Sequence, residues 1–474
     1  MSPSASSKTS VIDTRVQITL DIVNWDALSS LGRKLLQADG SHWGEHISGG
    51  YNLVRFLHLH DSHNTTLVAR VPLRSKEVMN AEHDPAISKR VASEVATMEY
   101  VEAHTNIPVP HVFHHSADAD GVVRSPYIFM SKVEGVALSS VWDDMVDEKR
   151  RIILRQVIDV LLDLWSHRFE KKGVLFKRPG PEGKDGWYVE SSSIIEDPDA
   201  AGPQDRLLTT SYTNAPAYWL ACANANLRDI RDKHFGSISQ PFAYAQAWFI
   251  RSLVPSLFDP SLDDHGFPLC PGDFHSQNIL ITDDDLNPRI TAVIDWELSG
   301  PDFVTTFAMY PFFIVDHPAW DDDNPLRQRN KRDQATFDEL ILQAERNRNP
   351  VKGSPLSYLI ANSYSVYLFQ QTLSFPVAYS VFYPLLFSHV LGNNDDFSVD
   401  YYWSLMEQGI LRKETAQFEK ENKVWLEAQK ILGKDVVCTG LTAGEFKDLV
   451  LIHLDEFDKE GIVCEWLASV SLSL

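Results

Sequence analysis

Residues 268–300 read PLCPGDFHSQNILITDDDLNPRITAVIDWELSG. An acid, Asp273, is followed five positions later by Asn278. The apolar run Ile290-Thr291-Ala292-Val293-Ile294 then reads as a buried β-strand that ends on Asp295. The spacing places Asp273 and Asn278 on one short loop, forming one wall of a cleft. Asp295, at a strand end, can face them from the opposite wall.

These residue types in this order point to metal-assisted phosphoryl transfer. Such a reaction asks little covalent work of a protein. It needs a carboxylate to orient the attacking hydroxyl and oxygen ligands for the magnesium that bridges the phosphates. An Asn carbonyl and an Asp carboxylate are the hard oxygen donors magnesium prefers. On this reading Asp273 is the catalytic acid-base group, and Asn278 and Asp295 are the Mg2+ ligands.

Composition sets the outer bounds. The 474 residues suffice for two or three domains, or for one two-lobed unit with insertions. With 43 basic and 65 acidic residues, the net charge of −22 repels nucleic acid and anionic membrane surfaces. The same charge suits solubility and is compatible with a cationic substrate. Cys222, Cys270, Cys438 and Cys464 form no C-x-x-C pair, so neither a zinc site nor a disulfide framework is indicated and a cytoplasmic setting fits. Cys270 reads as a small buried side chain beside a strand end. Between Ser354 and Asn394 there is no charged side chain, but Asn362, Gln370, Gln371, Pro376 and Pro384 interrupt the stretch. Two buried helices are expected there rather than membrane contact.

From the N-terminus, MSPSASSKTS reads as a disordered lead-in, and a helix is expected around Trp25–Leu36. Two strands separated by Gly49-Gly50 follow, then a third, Leu67-Val68-Ala69-Arg70. Paired glycines let backbone amides approach phosphate oxygens. A helix over Ile87–His104 ends at Pro108 and Pro110, and another strand leads through Met130 and Lys132 to Gly135. Ile153, Val157, Val160, Leu161 and Leu164 fall on one stripe of a core-facing helix. Residues 171–205 are rich in Gly, Pro, Ser and Asp and read as an exposed insertion. Further helices are expected over Tyr218–Asp232, Tyr244–Phe258, Thr306–Pro318, Arg327–Arg348, Ser357–Leu391, Tyr401–Leu432 and Ala443–Val470.

Taken together, the glycine turn, Pro271-Gly272-Asp273, Asn278 and Ile294-Asp295 resemble the aminoglycoside phosphotransferase family, the small-molecule branch of the protein-kinase-like fold, and in particular its fungal phosphotransferase-domain group. The resemblance implies an α+β, bilobal fold. A small antiparallel sheet with one helix would form the N-terminal nucleotide-binding lobe over 15–132, after a lead-in over 1–14. A larger, mostly helical lobe over 133–474 would carry catalysis and the acceptor pocket. It implies ATP and Mg2+ as cofactors and a small-molecule hydroxyl as acceptor.

By the same resemblance Arg70 stands where the family has a Lys on the third strand. Glu94 stands where that cation finds its partner on the next helix, Gly49 and Gly50 cover the phosphates, and Met130 and Lys132 lie at the adenine hinge. The Arg-for-Lys exchange is not conservative. Pro271 replaces the family's His. His275 occupies a position near the transferring phosphate, where it either donates to that group or shapes the loop. Asp302 is one residue short of a family acid and carries over only as loop support, and no catalytic role falls to Glu297. Asp321, Asp322, Asp323, Asp395, Asp396 and Asp400 are candidates for holding a cationic acceptor. Arg70 and Pro271 keep open a second reading, a pseudokinase-like protein that holds a nucleotide or partner without turnover. Protein kinase activity ranks lower, because no Ala-Pro-Glu segment follows Asp295.

Overall fold

Helix α1 (Ala5–Ile22) and helix α2 (Trp25–Leu36) open the chain of the computed structural model. The described residues are 5–74, 85–118, 120–179, 185–192, 212–233, 235–236, 239–282, 287–317, 320, 323–348, 352–374, 379–392, 404–409, 411–438 and 440–471. The stretch read as a disordered lead-in thus enters a helix at Ala5. Two compact units are present. The first comprises 1–200, 208–213 and 262–363; the second comprises 201–207, 214–261 and 364–474.

In the first unit, β1 (Gly40–Ser48), β2 (Asn52–His60), β3 (Thr66–Pro72), β4 (Val112–Ser116) and β5 (Tyr127–Ser131) form an antiparallel sheet of order β1-β2-β3-β5-β4. Helix α3 (Pro85–His104) lies between β3 and β4 in sequence. Strand alternation decides what each face carries. Leu57, Leu67, Ala69 and Val71 pack with Leu28 of α2 on one face, while Ile128 packs with Val91 and Val95 of α3 on the other. Arg70, one position out of step with Ala69 and Val71, therefore turns toward α3.

After the short strand β6 (Val136–Ala137) comes α4 (Asp147–Ser166). Its stripe is buried as the spacing predicts: Ile153, Val157, Val160, Leu161 and Leu164 enter one core with Leu269, Ile279, Ile281 and Val293. Strands β7 (Arg168–Phe169), β8 (Val174–Pro179) and β9 (Asp185–Glu190) follow. The segment expected to be an exposed insertion is in part this β8–β9 hairpin, which docks on α3. There Trp187 Nε1 donates to the Ala96 carbonyl (2.9 Å) and Lys177 pairs with Glu99 (2.6 Å). Val174, Leu175 and Val189 are buried in this hairpin despite the Gly and Pro content of the stretch; residues 193–205 lie outside the described ones.

Helices α5 (Ala215–Lys233) and α6 (Gln240–Leu257) belong to the second unit. The chain then returns to the first unit with β10 (Phe267–Cys270), β11 (Ile279–Ile281), β12 (Ile290–Val293), β13 (Gly300–Pro301), α7 (Val304–Phe307), α8 (Pro325–Arg346) and α9 (Leu356–Ala361). Strands β12, β11 and β6 form one small sheet, and β13, β10 and β7 another. The helix expected over Thr306–Pro318 is cut to α7 and a 3-10 turn at Phe312–Ile314, since Pro311 cannot continue a helix.

The remainder of the second unit holds α10 (Tyr364–Ser374), α11 (Tyr379–Leu391), a π-turn at Ser404–Gln408, α12 (Arg412–Leu432), α13 (Ala443–Ile452) and α14 (Ile462–Ser471). Phe235, Trp425, Phe446 and Trp466 are central to its core. The charge-free stretch expected as two helices makes three, α9 to α11. Asn362 caps α9 by donating its side-chain amide to the Tyr358 carbonyl (2.8 Å). No helix among the described residues is long and apolar enough to cross a membrane.

Candidate active site

Strand β10 delivers the chain into the loop that carries Asp273. The His275 Nδ1 accepts from the Gln277 backbone N–H (3.1 Å), which leaves the ring proton on Nε2, 3.1 Å from Asp273 Oδ2. His275 thus shapes the loop and sets its Nε2 beside the acid. The Asn278 amide donates to the Asp273 carbonyl (3.0 Å) and to Asp273 Oδ2 (3.2 Å), leaving its own Oδ1 for another partner. Ile279 is in register with Val293, and the Ile294 N–H donates to the Asn278 carbonyl (2.9 Å). Asn278 and Asp295 therefore leave the β11–β12 pair at the same end.

Beyond β12 the backbone enters the left-handed region at Asp295 (φ 60°) and again at Leu298 (φ 60°), folding Asp295–Ser299 into a tight turn. Trp296 anchors it: the indole is buried and donates to the Val293 carbonyl (3.0 Å). The turn backs directly onto the Asp273 loop. Ser299 Oγ accepts from the Gly272 N–H (2.8 Å), and a Cβ on Gly272 would sit 2.6 Å from the Glu297 carbonyl oxygen. Only glycine allows that approach.

Arg70 is the electrostatic centre, with its side chain 8% exposed. Its Nη1 is paired with Glu94 on α3, while Nη2 reaches Asp295 Oδ1 (2.6 Å) and Glu297 Oε2 (2.9 Å). Burial opposes the guanidinium charge, but the three carboxylates outweigh it and hold Arg70 protonated. Burial pushes the Glu94 carboxyl up, to about 8; Arg70 opposes that rise, and Glu297 and Asp295 add to it. Asp295 keeps 37% of its side-chain surface open. Its second oxygen and Asn278 Oδ1 are hard donors of the kind magnesium takes. Among the described residues, no group of three or more His, Cys, Asp and Glu is arranged to hold a metal by itself.

The other expected site residues fall as follows. Gly49 and Gly50 lie in the β1–β2 turn, where a Cβ on Gly50 would meet nothing within 4 Å. Met130 lies on β5, opposite Val68 and Val112, and packs against the core. Lys132 follows it and pairs with Glu134 (2.8 Å). The chain then turns at Gly135, where φ is +147°. Asp302 pairs with Lys172 (2.7 Å) and accepts from the Phe303 N–H, a loop-supporting role. Burial pushes the Cys270 thiol up, so it stays protonated and inert. Asp323 is exposed, while Asp321, Asp322, Asp395, Asp396 and Asp400 lie outside the described residues.

Sequence reasoning gave Glu297 no catalytic role and missed its reach beyond its own turn, to Arg70. Glu297 also accepts from the Asn52 side-chain amide (2.9 Å) and lies 3.6 Å from Arg90. One carboxylate thereby joins β2, β3 and α3 to the turn after β12. The available signal was its position two residues after Asp295, with a tryptophan between.

A family model described as "Phosphotransferase enzyme family" matches residues 44–339. A subtelomeric hrmA-associated cluster protein of Aspergillus fumigatus is 30% identical over 149 residues, 31% of this chain and 26% of that protein. The mitochondrial altered inheritance of mitochondria protein 9 of Zygosaccharomyces rouxii is 30% identical over 135 residues, 26% of this chain and 22% of that protein. The chain spans about a quarter of the length of these curated relatives. Among solved structures, a putative aminoglycoside phosphotransferase from Ralstonia eutropha aligns with a TM-score of 0.45 at 15% identity, covering 83% of this chain and 98% of that one.

Proposed function

Since this chain belongs to the phosphotransferase enzyme family, we propose that it moves the γ-phosphoryl group of ATP to a hydroxyl of a small molecule with Mg2+. The observation that supports this most is the convergence of Asp273, Asn278, Asp295 and Arg70 on two adjoining turns. Asp273 orients the acceptor hydroxyl and takes its proton as the oxygen attacks the γ-phosphorus; the bond to the bridging oxygen breaks and ADP leaves. His275 keeps the Asp273 carboxylate aligned. Asn278 and Asp295 hold Mg2+, which when bound neutralises charge on the phosphate oxygens. Arg70, steadied by Glu94, contacts the phosphates beneath the Gly49-Gly50 turn, and the chain from Met130 to Lys132 borders adenine. The excess of acidic residues favours a cationic acceptor.

A nucleotide-holding protein without turnover is the second reading. It is favoured by the bond from Arg70 that occupies Asp295 Oδ1. Turnover separates the two. With Mg2+, ATP and a panel of amine-bearing alcohols, the phosphotransferase reading expects ADP formation that falls by roughly 10²- to 10⁴-fold in Asp273→Asn. Equal ADP formation by that variant and the wild type would reject the role given to Asp273.

A further inference from the structure

The third strand of this site carries an arginine, and the turn after the metal-binding strand carries an extra carboxylate. The two meet: Arg70 Nη2 bonds Glu297 Oε2 at 2.9 Å, while the other arm of the same guanidinium holds Glu94. A lysine ammonium is a compact point charge; the planar fork of arginine offers separate arms in fixed directions. Only the fork can hold α3 with one arm and leave the second to be shared between Asp295 and Glu297. Glu297 is itself held from three sides, by Arg70, Asn52 and Arg90, and is 14% exposed. Its own backbone carbonyl presses on Gly272, the residue before Asp273.

We infer that Glu297 is a positioning residue that works as a pair with Arg70, fixing the glycine-turn strand β2, strand β3 and helix α3 onto the turn that carries Asp295. This inference rests on the phosphotransferase reading given above. Asp295 would meet a magnesium ion with its second oxygen, a turn of the carboxylate that strains its Oδ1 bond from Arg70. Glu297 stays behind as the second partner of Nη2, so the guanidinium keeps its place instead of following Asp295. The arginine is then a matched replacement for lysine and not a loss of function, and restoring lysine alone leaves Glu297 without its partner.

The test is a double-variant cycle on the full chain: wild type, Arg70→Lys, Glu297→Gln and the two combined, with Mg-ATP affinity measured calorimetrically and ADP formation measured in parallel. Each single variant is expected to weaken Mg-ATP binding roughly 10- to 100-fold, with melting close to wild type in Glu297→Gln. The double variant should lose less than the product of the two losses, the mark of residues that act together. Glu297→Asp, which keeps the charge, should recover part of the affinity. Mg-ATP affinity in Glu297→Gln equal to that of the wild type, or losses that multiply in the double variant, would overturn the pairing alone. Absence of Mg-ATP binding by the wild type would overturn the phosphotransferase reading and this inference with it.

Discussion

Replacing Glu94 by glutamine should change the pH dependence of stability in a direction the site's charges dictate. Glu94, Asp295 and Glu297 all face one guanidinium, and Glu94 is the one that lies deepest, with 5% of its side chain exposed. Burial lifts its carboxyl from an ordinary 4.5 to about 8 in the folded protein. Between those values the folded state holds a proton that the unfolded state has released. Stability therefore falls as pH rises through that window, and the contribution is complete only below the unfolded value. The limiting slope for one proton is about 1.4 kcal/mol per pH unit. The amide introduced by Glu94→Gln cannot titrate, so the stability of wild type minus that of the variant should decline steadily from about pH 5 to pH 8. Urea midpoints of both proteins at half-unit pH steps measure this difference. A difference that instead grows from pH 3 to pH 5 and then stays flat would mean that Arg70 dominates and holds Glu94 ionised, and the reasoning would fail.

Two further outcomes follow from single contacts. At Gly135, where φ is +147°, a Cβ would lie 2.7 Å from both the Ile281 carbonyl oxygen and Thr291 Oγ1. Gly135→Ala should cost on the order of 1–3 kcal/mol, seen as a lower urea midpoint with unchanged slope, and equal midpoints would contradict it. His275→Ala removes the N–H that faces Asp273 Oδ2. It should lower kcat on the order of 10²-fold with little change in KM for ATP; a raised KM at unchanged kcat would instead assign His275 to nucleotide binding.

Much of the first unit was legible because its signals are local. The apolar run Leu67-Val68-Ala69 before Arg70 and the run leading to Asp295 each mark a strand from neighbouring residues alone. The α4 stripe is legible for the same reason at helical period. What escaped depended on distant partners. Glu297 pairs with Arg70, Asn52 and Arg90, more than two hundred positions away, and no periodicity carries that information. The β8–β9 hairpin was hidden because its stability comes from contact with α3, while its Gly and Pro content reads locally as loop. The breaks after Ala361 and Phe307 are set by a side-chain cap at Asn362 and by Pro311, within stretches whose apolar content reads as continuous helix.

Asp295 and Asn278 are proposed to build a Mg-ATP site. Thermal melting of the wild type and of Asp295→Ala, each with Mg2+ alone and with Mg2+ plus ATP, tests it most directly. At one hundred times its dissociation constant ATP should add about 2.7 kcal/mol to wild-type stability, a rise of several degrees that needs Mg2+ and disappears in Asp295→Ala. A wild-type melting temperature indifferent to Mg-ATP, or a shift of equal size in Asp295→Ala, would contradict the account.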